Sequence, residues 1–97
     1  MSARPKKQLE WSRRSAQDLL DIEEYIAQDN QSAADAVIAH MQQRALMLEA
    51  DPLLGKRRLA SPHRELVLTR YPFTIIYRVR GSRVLISRML HQKRQFP

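Results

Sequence analysis

Of the three histidines in the chain, His91 has the sequence context best suited to chemistry. It lies at the end of the last predicted strand, close in sequence to the cations Lys93 and Arg94. An imidazole titrates near neutral pH and can act as a general acid or base, although a surface histidine at a sheet edge is the simpler interpretation. We expect His40, on a predicted helix, and His63, in a predicted loop, to have no functional role. No two histidines have the spacing of zinc ligands, so we expect no metal site.

Arg78 is a second candidate, because it lies in the middle of a predicted strand on the face that should point away from the core. Its guanidinium could hold a phosphate or stabilise the charge that develops during RNA cleavage. Counting across the predicted sheet places Glu65 opposite, so a cross-strand ion pair is the structural alternative. His91 would lie about 20 Å from Arg78 along the strands, too far for a compact catalytic pair. Tyr77 is predicted in the core, and Tyr71 in an exposed turn.

The composition excludes several classes of site. The chain has 97 residues, no cysteine and two glycines, which rules out a disulfide framework, a cysteine nucleophile and a glycine-rich phosphate loop. Residues 1–97 are the length of a single domain, and no cofactor is indicated. No apolar run approaches the roughly 20 residues of a membrane span, and the basic N-terminus lacks the apolar stretch of a signal peptide. We therefore expect a cytoplasmic protein with no membrane contact.

Charge is divided unevenly between the two halves of the chain. Residues 1–55 hold six Lys and Arg against nine Asp and Glu, whereas residues 56–97 hold eleven Lys and Arg against one acid, Glu65. The second half therefore has a balance of +10 within a net charge of +7. Such a field attracts polyanions, so RNA, DNA or an acidic protein is the expected partner. A solvated basic surface with no specific partner is the alternative.

Two helices are predicted after a short strand at residues 7–11. Ser12 is a candidate N-cap for the first helix, which should end near Asp29, and Asn30 is a candidate N-cap for the second. Asp51, before a proline, should end the second helix. Asp18 is expected outside the apolar stripe of the first helix. Because almost no linker separates the helices, they should form an antiparallel hairpin.

Three antiparallel strands are predicted over residues 64–69, 73–80 and 83–90, after a connector at 53–62. Glycine at the first position of Gly81-Ser82 is the signal of a type II′ hairpin. The resulting register pairs Val79 with Val84, Tyr77 with Ile86, Ile75 with Arg88, Phe73 with Leu90, Leu66 with Tyr77 and Leu68 with Ile75. One face is then apolar and should cover the helices: Leu66, Leu68, Phe73, Ile75, Tyr77, Val79, Val84, Ile86 and Leu90. The opposite face carries Arg78, Arg80 and Arg83, together with Met89 and His91. The fold class is therefore α+β.

Nearly the whole chain resembles the RelE/ParE toxins of bacterial type II toxin–antitoxin systems. The order and spacing of several short motifs carry this resemblance. They are Leu9-Glu10-Trp11-Ser12, Ala16-Gln17-Asp18-Leu19, Ile22-Glu23-Glu24-Tyr25-Ile26-Ala27, Ala33-Ala34, the turn at 52–55, Arg64-Glu65-Leu66, Ile76-Tyr77-Arg78-Val79 and the tail from Ile86 through Arg88, Leu90 and His91 to Arg94. The resemblance implies the same α+β fold and a cognate antitoxin, usually acidic in its toxin-binding segment. The residues expected to contact that antitoxin or a target are Arg64, Arg78, Arg80, Arg83, His91, Lys93 and Arg94.

The family implies two different activities. RelE-like members resemble ribosome-dependent endoribonucleases that cut mRNA, and ParE-like members resemble non-enzymatic poisons of DNA gyrase. The ribonuclease branch commonly has arginine where this chain has Thr74, and it often ends in a tyrosine or histidine–tyrosine, where this chain has His91-Gln92. One catalytic position therefore matches, at His91, and two do not. The tail is closer to the ParE branch, so a gyrase poison is the leading hypothesis.

Two alternatives to the gyrase poison stay open. In a RelE-like ribonuclease acting on the ribosome and mRNA, Arg78, His91 and Arg94 would be the catalytic candidates. The other alternative is a protein without toxicity that acts only in antitoxin binding and autorepression.

Overall fold

A computed structural model describes residues 6–93 of the chain. In chain order the elements are β1 Gln8–Trp11, α1 Arg13–Ala27, α2 Gln31–Ala50, β2 Lys56–Arg57, β3 Arg64–Val67, β4 Phe73–Arg80 and β5 Arg83–His91. The α+β class is confirmed. Across the described residues, neither helix has the length and apolar character needed to cross a membrane.

Both helices begin at the predicted caps. The Ser12 side chain accepts a hydrogen bond from the backbone N–H of Ser15, and the Asn30 side chain accepts one from Ala33, each at 3.0 Å. These bonds satisfy amide groups that have no partner within the first turn. In α2 the buried residues follow the spacing of one helical face, and they are Ala34, Val37, Met41, Ala45 and Leu48. The two helices pack against each other.

The sheet has five strands in the order β1-β5-β4-β3-β2. The predicted N-terminal strand joins it as β1, parallel to β5, while the other pairs are antiparallel. The two-residue strand β2 was not predicted, and it lies inside the predicted connector. Its residues have no apolar alternation, so pairing with β3 rather than local sequence makes it a strand.

The predicted register of β4 and β5 is confirmed near the turn and wrong beyond it. Val79 lies opposite Val84 and Tyr77 opposite Ile86, but Ile76 lies opposite Arg88, so Ser87 is an extra residue in β5. After this β-bulge, each later side chain of β5 points to the face opposite to the one predicted. Consequently Ile75 pairs with Met89 rather than Arg88, and Phe73 pairs with His91 rather than Leu90.

The bulge also changes which side chains face the core. Met89 is fully buried, and His91 lies beside the buried Phe73, with ring centroids 5.1 Å apart in an edge-to-face arrangement. The prediction that Met89 and His91 lie on the outer face was therefore wrong. Leu90, predicted in the core, is only half-buried.

The register of β3 and β4 differs from the prediction by two residues. Leu66 lies opposite Ile75, and Arg64 opposite Tyr77. The backbone N–H of Leu68 donates to the carbonyl of Phe73 at 2.9 Å, which leaves a longer turn than the two residues predicted. A shift of two keeps every side chain on its predicted face. Leu66, Leu68, Phe73, Ile75, Tyr77, Val84 and Ile86 are accordingly all buried in the core with α2.

Candidate interaction surface

The turn of the β4–β5 hairpin gathers three of the predicted contact residues on the outer face of the sheet. Arg80 lies directly opposite Arg83, and Arg78 is two residues before Arg80 on the same face. Gly81 has a φ of 54°, which matches the predicted type II′ turn. Lys7 donates from its Nζ to the carbonyl of Gly81 at 2.6 Å and adds a fourth cation.

Little negative charge offsets this group of cations. Arg83 forms an ion pair with Glu10 on β1, with Nη1 and Oε1 3.0 Å apart and both side chains exposed. Arg80 is exposed, and no ion pair to it occurs within residues 6–93. Like charges directly opposite each other on a sheet repel, so Arg80 and Arg83 favour an anionic partner. We call Arg78, Arg80 and Arg83 the hairpin arginines.

Arg78 does not have the acidic neighbour that the sequence suggested. Glu65 lies opposite Ile76 and forms an ion pair with Arg58, at 3.2 Å between Nε and Oε1. The prediction of an ion pair between Glu65 and Arg78 was therefore wrong, because the register of β3 is displaced by two residues. The Nε of Arg78 is buried and has no hydrogen-bond acceptor in the described part of the chain. A desolvated donor of this kind is costly unless a partner supplies an acceptor.

Arg64 lies apart from the hairpin arginines. It is opposite Tyr77, whose side chain is in the core, and its Nη1 donates to the carbonyl of Gly55 at 2.9 Å. The phenolic oxygen of Tyr77 accepts from the N–H of Gly55 at 2.7 Å and donates to the carbonyl of Pro52 at 2.8 Å. Burial raises the pKa of Tyr77. Arg64 and Tyr77 thus fix the turn after α2.

The C-terminal contact candidates lie at the other end of the sheet. Arg94 is outside the described residues. The N–H of Lys93 donates to Nδ1 of His91 at 3.0 Å, and the N–H of Gln92 donates to the carbonyl of Pro72 at 2.8 Å. His91 is opposite Phe73, five residues along β4 from Arg78, which corresponds to about 17 Å. The structure therefore does not bring Arg78 and His91 together.

Asp18 is a buried acid that the sequence pattern placed outside the core. Its side chain is 1% exposed and accepts from Arg88 Nε at 2.8 Å, from Arg88 Nη2 at 3.3 Å and from the Met89 N–H at 2.9 Å. Nearby, Ser12 donates to the carbonyl of Ser87, and Ser15 donates to that of Ile86. The polar face at the start of α1 therefore binds the β5 bulge. Serine and aspartate at positions 12, 15 and 18 share one helical face, and this spacing was the available signal.

Metal chemistry has no candidate site in the described part of the molecule. Between residues 6 and 93, no three His, Asp or Glu side chains come together in an arrangement that could hold a metal ion. The groups that the surface does present are cations, and they can bind carboxylates or phosphates directly.

Comparison with known proteins identifies the family. The family model "ParE toxin of type II toxin-antitoxin system, parDE" matches residues 9–96. A Sinorhizobium fredii protein named "Putative toxin Y4kP" is 32% identical over 92 residues, which is 95% of this chain and 95% of that protein. The structure "Chromosomal ParDE TA system from P. aeruginosa" matches with a TM-score of 0.79 and 25% identity, over 89% of this chain and 96% of that one. The chain therefore belongs to the ParE toxin family of type II toxin–antitoxin systems.

Proposed function

We propose that this ParE-family toxin acts in the cytoplasm by binding and poisoning DNA gyrase, and that a cognate acidic antitoxin neutralises it. Membership of the ParE family supports the general role. The hairpin arginines are the observation that supports an acidic partner, because they place two like charges directly opposite each other and Arg80 forms no ion pair within residues 6–93. Carboxylates of an antitoxin would supply the missing negative charge.

The positions of Arg78 and His91 support binding rather than RNA cleavage. A general acid or base must lie within hydrogen-bond reach of the proton that it moves, and the charge-stabilising group must contact the same phosphate. Arg78 and His91 are about 17 Å apart along the strands, and Thr74 holds the strand position at which the ribonuclease branch commonly has arginine. His91 also contacts Phe73 through its ring edge. This ring belongs to a packed side-chain pair, which suits a structural role.

A gyrase assay tests the target. Purified full-length protein is added to gyrase that is supercoiling a relaxed plasmid, and the same protein is added to a translating extract that contains a reporter mRNA. We expect inhibited supercoiling or trapped DNA breaks, together with an intact message. Cleaved message with uninhibited gyrase would instead indicate the ribonuclease. Full activity of both systems at high excess of the protein would indicate a partner without toxicity.

Charge variants test the antitoxin surface. We expect the triple variant R78Q/R80Q/R83Q to bind the antitoxin more slowly and with a much weaker dependence on salt, because charges at an interface chiefly accelerate association. R13Q/K56Q/R57Q is the charge-matched control, since these three cations are exposed and lie outside the β4–β5 hairpin. Equal association rates and salt dependence for the two triple variants would show that another surface binds the antitoxin.

A further inference from the structure

A second group of basic side chains, arranged beside a tyrosine, lies at the opposite end of β4 from the hairpin arginines. His40 and Arg44 come from α2, and Arg70 and Tyr71 come from the turn before β4. His40 and Arg44 are four residues apart, so both lie on one face of the helix. The sequence predicted that Tyr71 would be exposed in a turn and that His40 would have no functional role. Tyr71 is instead half-buried against the core, and His40 contacts its ring.

The ring of Tyr71 organises the cations around it. The His40 ring meets it edge-on, with centroids 5.3 Å apart and planes at 73°. The guanidinium carbon of Arg70 is 5.7 Å from the centroid of the same ring, within the range of a cation–π contact. Because packing against the core fixes Tyr71, these contacts hold an imidazole and a guanidinium beside one another. Such an arrangement reduces the ordering that a ligand must impose.

Within residues 6–93 the donors of this cluster have weak acceptors or none. Nη1 of Arg44 donates to the sulfur of Met47 at 3.1 Å, and a thioether is a weak acceptor. Neither Arg44 nor Arg70 forms an ion pair with a carboxylate within residues 6–93. The pKa of His40 is lowered by partial burial and by the charges of Arg70 and Arg44. The charged groups that act on this imidazole are thus both cations, and an anion would relieve their repulsion.

We propose that His40, Arg44 and Arg70, arranged around Tyr71, form a binding site for a phosphate group. Phosphate suits this site because its anionic oxygens can accept hydrogen bonds from two guanidiniums and an imidazole, and this holds for a phosphodiester as well as for free phosphate. This site is separate from the hairpin arginines and goes beyond the proposed function. The phosphate could belong to a nucleic-acid backbone or to a small phosphate compound, and the chemistry of recognition is shared.

The imidazole of His40 provides a direct probe of binding. Full-length protein is titrated with sodium phosphate at constant ionic strength, with sodium chloride as the reference, while the ring resonances of the three histidines are followed by NMR. We expect saturable shifts of the His40 resonances and a titration midpoint that moves to higher pH, because a bound anion favours the imidazolium. Absence of saturable His40 shifts, or equal shifts with chloride, would overturn the proposal.

Two charge-matched variants locate the site. We expect R70Q to weaken phosphate binding about tenfold, which is the effect of losing one charge-assisted contact. R57Q removes the same charge from the exposed strand β2 and should leave binding unchanged. Equal affinities for R70Q and R57Q would overturn the proposal, because they would show general charge attraction. None of these outcomes depends on gyrase, so they are independent of the proposed function.

A second titration identifies the source of the phosphate. A short DNA duplex is added in place of sodium phosphate, and competition with free phosphate is measured at the His40 resonances. Competition at this site would assign it to a nucleic-acid backbone. Phosphate binding that the duplex does not displace would assign it to a small phosphate compound. Either result requires the site, and in R70Q the ligand concerned should bind about tenfold more weakly.

Discussion

Replacing Asp18 tests whether the buried contact between α1 and the β5 bulge stabilises the fold. The carboxylate is 1% exposed and accepts hydrogen bonds from the side chain of Arg88 and from the backbone N–H of Met89. In D18A both donors lose their acceptor, and the Arg88 guanidinium, with 29% of its side chain exposed, loses its counter-charge. The alanine also leaves space at the contact between helix and strand.

The expected loss is large because the remaining groups stay buried. Removing one partner of a buried ion pair typically costs about 3–5 kcal/mol of the free energy of unfolding. D18N keeps an oxygen that can accept from the Met89 N–H, but it removes the charge, so we expect a smaller loss of about 1–3 kcal/mol. D18L combined with R88M replaces both charges by apolar groups, and it should be less destabilised than D18A.

Urea unfolding followed by circular dichroism measures these differences. Asp21 lies three residues further along α1 and accepts a hydrogen bond from Gln17 at the surface, so D21N is the matched control and should change stability by less than about 0.5 kcal/mol. A D18A variant within about 1 kcal/mol of the wild type would refute the reasoning. So would a D18L/R88M protein that is less stable than D18A.

Other substitutions test the turn after α2 and the hairpin arginines by the same unfolding measurement. Y77F should lose about 1–3 kcal/mol, because a buried backbone N–H and a partly buried carbonyl lose their partner. G55A should lose at least about 1–3 kcal/mol, since an added Cβ would lie 2.6 Å from Cε1 of Tyr77. R80Q should gain about 0.2–1 kcal/mol by removing the repulsion with Arg83, and an R80Q protein that is less stable would contradict that account. The pKa of Tyr77 is higher in the folded than in the unfolded protein, so it contributes stability that is present below about pH 10 and is lost as pH rises through the folded-state pKa. The wild type should therefore lose more free energy of unfolding than Y77F as the pH is raised above about 10.

The faces of β3 and β4 could be predicted from sequence because they depend only on the parity of the register. An error of two residues between β3 and β4 left Leu66 and Ile75 in the core. The bulge at Ser87 could not be predicted in this way, since it depends on contacts with Ser12, Ser15 and Asp18, which are about 70 residues away in the chain. Local alternation carries no information about such contacts.

In the candidate surfaces too, the sequence predicted features set by local geometry and missed those set by contacts between elements. Arg78, Arg80 and Arg83 were predicted on one face because a two-residue turn fixes the hairpin near Gly81. The partner of Glu65 was predicted wrongly because it depends on the length of the next turn. The contact between His40 and Tyr71 joins a helix to a loop, and nothing in the spacing of either residue indicates it. The side-chain contacts between elements therefore depend on how the elements pack, which the sequence pattern of each element does not specify.

The position of β1 has a consequence for the synthesis of this protein. Gln8 pairs with Arg83, and the hydrogen bond from Ser12 to Ser87 joins residues 75 positions apart. Contacts so distant in sequence form slowly, because the intervening chain must first be ordered. Leu9 and Trp11 are translated before β5, and they have no neighbouring strand until β5 has been translated. A nascent chain that stops short of β5 therefore cannot complete its sheet, and the finished surface arises only after β5 has been translated.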